Sequence, residues 1–272
     1  MKKDLKVYVF TFVALFAISF ILLLTQAIDY NEEIPLTNGS NEEISQTVST
    51  QWQEADTITA FAEQNNIPMS EYPEKLLELL EKNPETKEFV FNYPFLKYKT
   101  FDIDLSEYKN TNEVPLLMQW DKRWGYSEYS GGIMGLTGCG PTCLSMVSIH
   151  LLNDTSYTPR YVADYAVQNG YSVNGKGSAW SLIKEGGEAF GLTVKELPLV
   201  ESMIIQNLKD GNPIICVMGP GDFTTEGHFI VMTDYIDGKI KINDPNSISR
   251  SEKLWDLFAI KDQIRNLWVC SR

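Results

Sequence analysis

The sequence predicts an α+β domain in the second half of the chain, and three observations predict it. Helical patterns come first and period-two apolar runs follow, rather than alternating with them. Asp237-Gly238 separates two of those runs and is a strong signal for a two-residue antiparallel hairpin. A glycine-rich turn from Gly131 to Gly140 runs directly into an apolar helical stretch.

Taken from the N-terminus, Val7–Ile28 is 22 residues without a charge. As a helix it spans roughly 33 Å, the thickness of a hydrocarbon core. Lys2, Lys3 and Lys6 precede it, and Asp29, Glu32 and Glu33 follow. The positive-inside bias therefore puts the N-terminus in the cytoplasm and the bulk of the chain outside. Residues 1–28 are read as an uncleaved signal-anchor, because the apolar run exceeds that of a secretory signal. Thr25-Gln26-Ala27 resembles a cleavage site and keeps a secreted form as the alternative. Residues 29–57 are polar and acidic and read as a tether.

Residues 58–113 are expected to form a helical arm. Leu76, Leu77, Leu79 and Leu80 make one stripe, Asn83-Pro84 stops and restarts the helix, and Phe89, Val90 and Phe91 make a second stripe. Two or three short helices are expected over 58–98. Such short helices need an apolar partner. A buttress for the following domain is the preferred reading, and an inhibitory segment across its cleft is the alternative.

The main domain is expected over 114–272. Helices are predicted at Pro141–Leu152, Thr158–Asn169 and Ser178–Gly191. Strands are predicted at Leu192–Leu197, Pro213–Met218, Phe229–Ile236 and Lys239–Asn243.

Composition excludes several functions. Apolar residues make up 43%, so global disorder is excluded. A net charge of −13 offers no footprint for a nucleic-acid backbone. No phosphate-binding Gly-x-x-x-x-Gly-Lys-Ser/Thr run exists, so no nucleotide is implied. With only His150 and His228, histidine-rich zinc sites fall away, and no metal or organic cofactor is expected.

Cys139 stands between Gly138 and Gly140, immediately before Pro141 at a helix start. Free backbone N–H groups and the helix dipole favour a thiolate there, which marks Cys139 as a candidate nucleophile. Cys143 and Cys216 read as small core residues, and a Cys216–Cys270 disulfide is left open. His228 opens an apolar strand and is the candidate base, since His150 sits within a helix. Asp244 can orient the imidazole, with Asn243 as an alternative. A plain Asp237-Gly238 turn pairs His228 with Ser247, which leaves Asp244 roughly 10 Å out of register. A bulge or a bend at Pro245 is needed. Gln119 is a candidate oxyanion donor together with the Cys139 N–H.

Gln119-Trp120-Asp121-Lys122-Arg123-Trp124, Gly138–Thr142, Gly227-His228-Phe229 and Asn243-Asp244-Pro245 together resemble stand-alone members of cysteine peptidase family thirty-nine. These are relatives of the double-glycine-leader peptidases that mature bacteriocins. The arm around Asn83-Pro84-Glu85 also resembles segments that precede this domain in bacterial members. The resemblance implies a papain-like fold, a peptide or protein substrate, and thiol hydrolysis. It carries the roles of oxyanion glutamine, nucleophile, base and orienting aspartate to Gln119, Cys139, His228 and Asp244. The leader peptidases proper are fused to a transporter with an ATPase, which this chain lacks. A catalytically silent peptide-binding module and a thiol hydrolase of cell-wall peptides are the rival functions.

Overall fold

A computed structural model describes residues 55–272. The expected membrane anchor and nearly all of the tether lie outside the described residues. Among the described residues no helix is long and apolar enough to cross a membrane.

The arm forms four short helices, α1 (Ile58–Gln64), α2 (Glu74–Lys82), α3 (Lys87–Phe91) and α4 (Tyr93–Leu96). Helix α2 starts at Pro73, carries Glu74 in its first turn and Lys82 in its last, and buries Leu76 completely. Asn83 ends α2, and its side chain accepts from the Glu85 N–H to start the Pro84–Thr86 3-10 turn. Helix α3 buries Phe89, Val90 and Phe91. Phe89 stacks on Tyr126 at 4.4 Å between ring centroids, and the Tyr126 hydroxyl donates to the Phe89 carbonyl at 3.0 Å. The arm's apolar stripes thus face residues 120–136.

One short helix and two longer ones follow in order. These are α5 (Met134–Thr137), α6 (Cys139–Leu152) and α7 (Pro159–Gln168). Hairpin strands β1 (Glu128–Tyr129) and β2 (Gly132–Ile133) precede them, and β3 (Ser172–Val173) pairs with β4 (Gly177–Ser178) after them. Helix α7 matches the predicted helix, capped by Thr158. Helix α6 begins two residues earlier than expected, at Cys139 itself. Its residues Gly140–Ile149 are all buried, because it runs between the sheet and α7 rather than along a surface.

The helix predicted at Ser178–Gly191 starts later and ends earlier. Ser178 belongs to β4, and a π turn (Leu182–Gly186) runs directly into α8 (Gly187–Ala189). Gly187 brings the Val194 side chain so close that a Cβ there would lie 2.7 Å from it, which lets this helical stretch pack tightly on β5.

The main sheet is antiparallel throughout. Its strands are β5 (Thr193–Glu196), β6 (Ile214–Met218), β7 (His228–Ile236), β8 (Lys239–Asn243), β9 (Leu254–Trp255) and β10 (Ile264–Ser271), in spatial order β5-β10-β6-β7-β8-β9. Strand β10 lies inside the sheet and places Cys270 on the strand next to that of Cys216. Alternation along the central strands splits the core into two layers. Ile215, Val217, Phe229 and Val231 meet α6 and α7, whereas Ile214, Cys216, Met218, Ile230 and Met232 meet the opposite layer. That second layer comes from α9 (Glu201–Lys209), α11 (Leu257–Ile260) and the chain between β9 and β10, with α10 (Ile248–Ser251) at the end of β8.

Asp237 and Gly238 both adopt positive φ, 51° and 82°, as the tight hairpin requires. The ladder shifts between Met232 and Asp234, so Thr233 is an extra residue in β7. The bulge and the turn at Pro245 bring the end of β8 back toward the start of β7.

Candidate active site

Cys139 is the first residue of α6. Gly140 allows the close packing there, since a Cβ at this position would lie 2.6 Å from the Ser178 hydroxyl and 3.5 Å from the Phe229 ring. The start of α6 is therefore pressed against β4 and the head of β7. The Cys139 thiol lies beside the His228 ring and the backbone at Phe229 and Gly140, close enough for each to act on its charge. His228 Nε2 lies 2.7 Å from Asp244 Oδ1, which leaves Nδ1 as the nitrogen for the thiol. Asp244 is fully buried. Its Oδ1 also accepts from the Asn246 N–H at 2.8 Å, and its Oδ2 accepts from Arg250 Nε at 2.6 Å. Its own N–H donates to the Ser251 hydroxyl at 2.9 Å.

The charges follow from this chain of contacts. Burial opposes a Cys139 thiolate, but the hydrogen bond and positive charge of His228 outweigh it and hold the thiol below its ordinary value. Burial also opposes the His228 imidazolium. The Asp244 carboxylate and the Cys139 sulfur reverse that effect and raise the imidazole well above its usual range. Asp244 is held below the ordinary carboxylate range, against its own burial, by His228 and Arg250. The three groups therefore favour a thiolate, an imidazolium and a carboxylate in a row.

Asn243 does not serve the ring. Its amide donates to the Val114 and Pro115 carbonyls at 3.0 and 3.1 Å, tying the entering chain to β8. Gln119 is buried behind the site. Its N–H donates to the Pro245 carbonyl at 2.7 Å, and its side-chain NH₂ donates to the Gly135 carbonyl at 2.9 Å. An amide NH₂ has two hydrogens, so one remains for another acceptor. Gln119 does not line the cleft that exposes Cys139.

That cleft has a volume of about 300 Å³. Segments 136–139, 175–177 and 224–227 form three sides, and Lys75, Glu78, Leu79 and Lys82 of α2 form the fourth. The arm therefore both packs on the domain and walls the cleft. Its rim sets Lys75, Lys82 and Lys176 against Glu78 and Glu226. His150 lies eleven residues along α6 from Cys139, roughly 16 Å at 1.5 Å per residue. The other three cysteines are free and buried, so no Cys216–Cys270 disulfide exists. Burial pushes the Cys270 thiol up to about 12 and Cys143 well above its ordinary value.

Sequence reasoning missed Arg250 and Ser251. Arg250 follows Asp244 by six residues across a proline turn, a spacing with no local signature. Only the folded turn brings its guanidinium onto Oδ2.

The family model for the Peptidase_C39 like family matches residues 111–269, more than half of the chain. The chain belongs to that family. Its peptidase-like part therefore has a C39-like α+β fold of helices on an antiparallel sheet. Two solved structures are similar to it. The peptidase domain of Streptococcus ComA, a bi-functional ABC transporter involved in a quorum-sensing pathway, shares 17% identity at a TM-score of 0.40, covering 50% of this chain and 91% of its own. A putative C39-like peptidase from Bacillus anthracis shares 13% identity at a TM-score of 0.36, covering 59% of this chain and 96% of its own. No curated protein matches the chain.

Proposed function

We propose that this C39-like protein is a thiol peptidase, tethered to the membrane by residues 1–28 and working outside the cytoplasm. In this reading the Cys139 thiolate attacks a peptide carbonyl carbon. The Cys139 N–H at the start of α6 holds the oxyanion, and Gln119, buried against the Gly135 and Pro245 carbonyls, is the candidate second donor through its remaining amide hydrogen. The His228 imidazolium gives its proton to the leaving amine, which releases the first product and leaves an acyl-enzyme. The neutral ring then takes a proton from water, and the resulting hydroxide cleaves the thioester and regenerates Cys139. Asp244 keeps Nε2 occupied and Nδ1 aimed at sulfur.

The observation that carries this reading is the unbroken contact from buried Asp244 through His228 to a partly exposed Cys139 in an open cleft. The location rests on the charge-flanked apolar run Val7–Ile28 alone.

The test is labelling of the full chain with an electrophilic thiol probe, mapped by mass spectrometry, beside hydrolysis of a peptide library. Selective labelling of Cys139 with peptide cleavage supports the proposal. Labelling without cleavage would identify a peptide-binding module, and cleavage restricted to purified wall material would identify a cell-wall hydrolase. Protease accessibility of the domain in intact cells tests the location.

A further inference from the structure

The arm reaches the catalytic centre a second time, behind the cleft. Glu85, half-buried in the Pro84–Thr86 turn, directs its carboxylate at the start of α10. It accepts from the backbone N–H of Ile248 at 2.7 Å and of Ser249 at 2.9 Å, and from the Ser247 hydroxyl at 3.4 Å. Asn83, two residues earlier, donates its amide to the Asn246 carbonyl. Two arm residues thus grip 246–249, the segment that joins Asp244 to Arg250.

Helix α10 has only four residues and cannot hold itself. Its first N–H groups need acceptors. The local cap, Ser247 Oγ, shares a bond with the Ser249 hydroxyl at 3.0 Å and takes one backbone N–H of the helix, that of Arg250 at 3.2 Å. Glu85 supplies the acceptor for the two N–H groups before it. Its carboxyl is held below the ordinary range although partial burial opposes this, because the Ser249 hydroxyl, the Ser249 and Ile248 N–H groups and the Ser247 hydroxyl favour its charged form. At the other end of the same helix, Arg250 and Ser251 hold both the side chain and the backbone of Asp244.

We propose that Glu85 is a positioning residue of this peptidase, acting through residues 246–251 on Arg250, and through Arg250 on Asp244 and the His228 ring. The proposal rests on the thiol-peptidase reading above. It gives the arm a role in reactivity: docking of Glu85 completes the clamp on Asp244, and release of the arm loosens it.

The experiment measures the rate of Cys139 alkylation by iodoacetamide against pH. It uses the full chain as wild type, Glu85→Gln, Glu85→Ala, Arg250→Ala and the two double variants, with thermal unfolding of each. The groups around the cleft, Lys75, Lys82, Lys176, Glu78 and Glu226, are the same in all of them, as is Tyr129. In the wild type the midpoint should lie below that of an ordinary thiol. Glu85→Ala should raise it by about one pH unit and slow alkylation at neutral pH about tenfold. Glu85→Gln should do less, since its amide oxygen still accepts. On the Arg250→Ala background neither change should move the profile further. A wild-type profile in Glu85→Ala, or an equal shift on both backgrounds, would overturn the proposal, the latter because Glu85 would then serve the fold at large. Should Glu85→Ala fail to fold, Glu85→Gln carries the same comparison. A wild-type Cys139 with an ordinary thiol profile would instead overturn the peptidase reading, and this inference with it.

Discussion

Cys139 and Cys143 sit one turn apart on the same helix, yet their environments drive them in opposite directions. Cys143 packs among Leu144, Met146 and Val147 with no partner for a negative charge, so burial pushes its thiol far up. Burial opposes a charge on Cys139 too, but its sulfur faces an imidazolium and the backbone at Gly140 and Phe229, and its thiol goes down. Residue type and helix are constant across the pair. The difference lies in what β7 and the turn after β8 bring to the first turn and not to the second.

The strongest way to break this contrast is to exchange the sulfur. Cys139→Ser should lower turnover by about 10⁴-fold or more, since a serine hydroxyl is not ionised by this pair, while thermal unfolding stays near wild type. Peptide hydrolysis and probe labelling check it. Loss of activity in Cys143→Ser with Cys139→Ser still active would reverse the assignment.

Asp244→Asn comes next. It removes the charge that holds the imidazolium and leaves Arg250 without its anion. Turnover should fall about 10²-fold, and the Cys139 midpoint should rise toward the ordinary thiol value. An unchanged alkylation profile would show that Asp244 does not tune the pair.

The pH profile of the wild type sharpens the comparison. The Cys139 value is lowered and the His228 value raised, so the charged pair exists between the two. Alkylation should climb with pH through a midpoint below that of an ordinary thiol, and peptide turnover should fall again once His228 loses its proton above the normal imidazole range. Asp244 works in the other direction on stability. Its lowered value means that its contribution is present above the ordinary carboxylate range and is lost as pH falls through the folded-state value. Urea unfolding at a series of acidic pH values measures that loss.

Cys143→Ala carries the smallest effect. Removing one buried sulfur should cost about 1 kcal/mol of stability, by analogy with a buried methylene, and leave the Cys139 profile unchanged. A shift in that profile would mean that the two turns are coupled.

Much of the frame was legible. The Asp237-Gly238 hairpin, the helix after Thr158 and the strands at 214–218 and 239–243 have local causes: positive φ at two turn residues, a cap before a proline, and runs of buried apolar side chains. The run Ile264–Ser271 has only a weak local pattern, since Arg265 and Asn266 interrupt it near its start. It becomes an inner strand by pairing with residues some fifty and seventy positions away. The helix read at Ser178–Gly191 is present over Leu182–Ala189 but begins later, because Gly177 and Ser178 pair in β4, and its first part winds as a π turn.

By itself the sequence determined that Cys139 stands at a helix start between glycines, that His228 opens an apolar strand, and that Asp244 precedes a proline turn. Each of these follows from neighbours within a few residues. Only the tertiary structure decided that the three touch. The hairpin alone leaves Asp244 out of register. The bulge at Thr233 shifts the pairing by one, the turn at Pro245 folds the chain back, and Arg250 with the arm residues Asn83 and Glu85 holds that turn in place. Those partners lie up to about 160 residues apart, and no local pattern records them, because contact between distant segments is set by how the whole core packs.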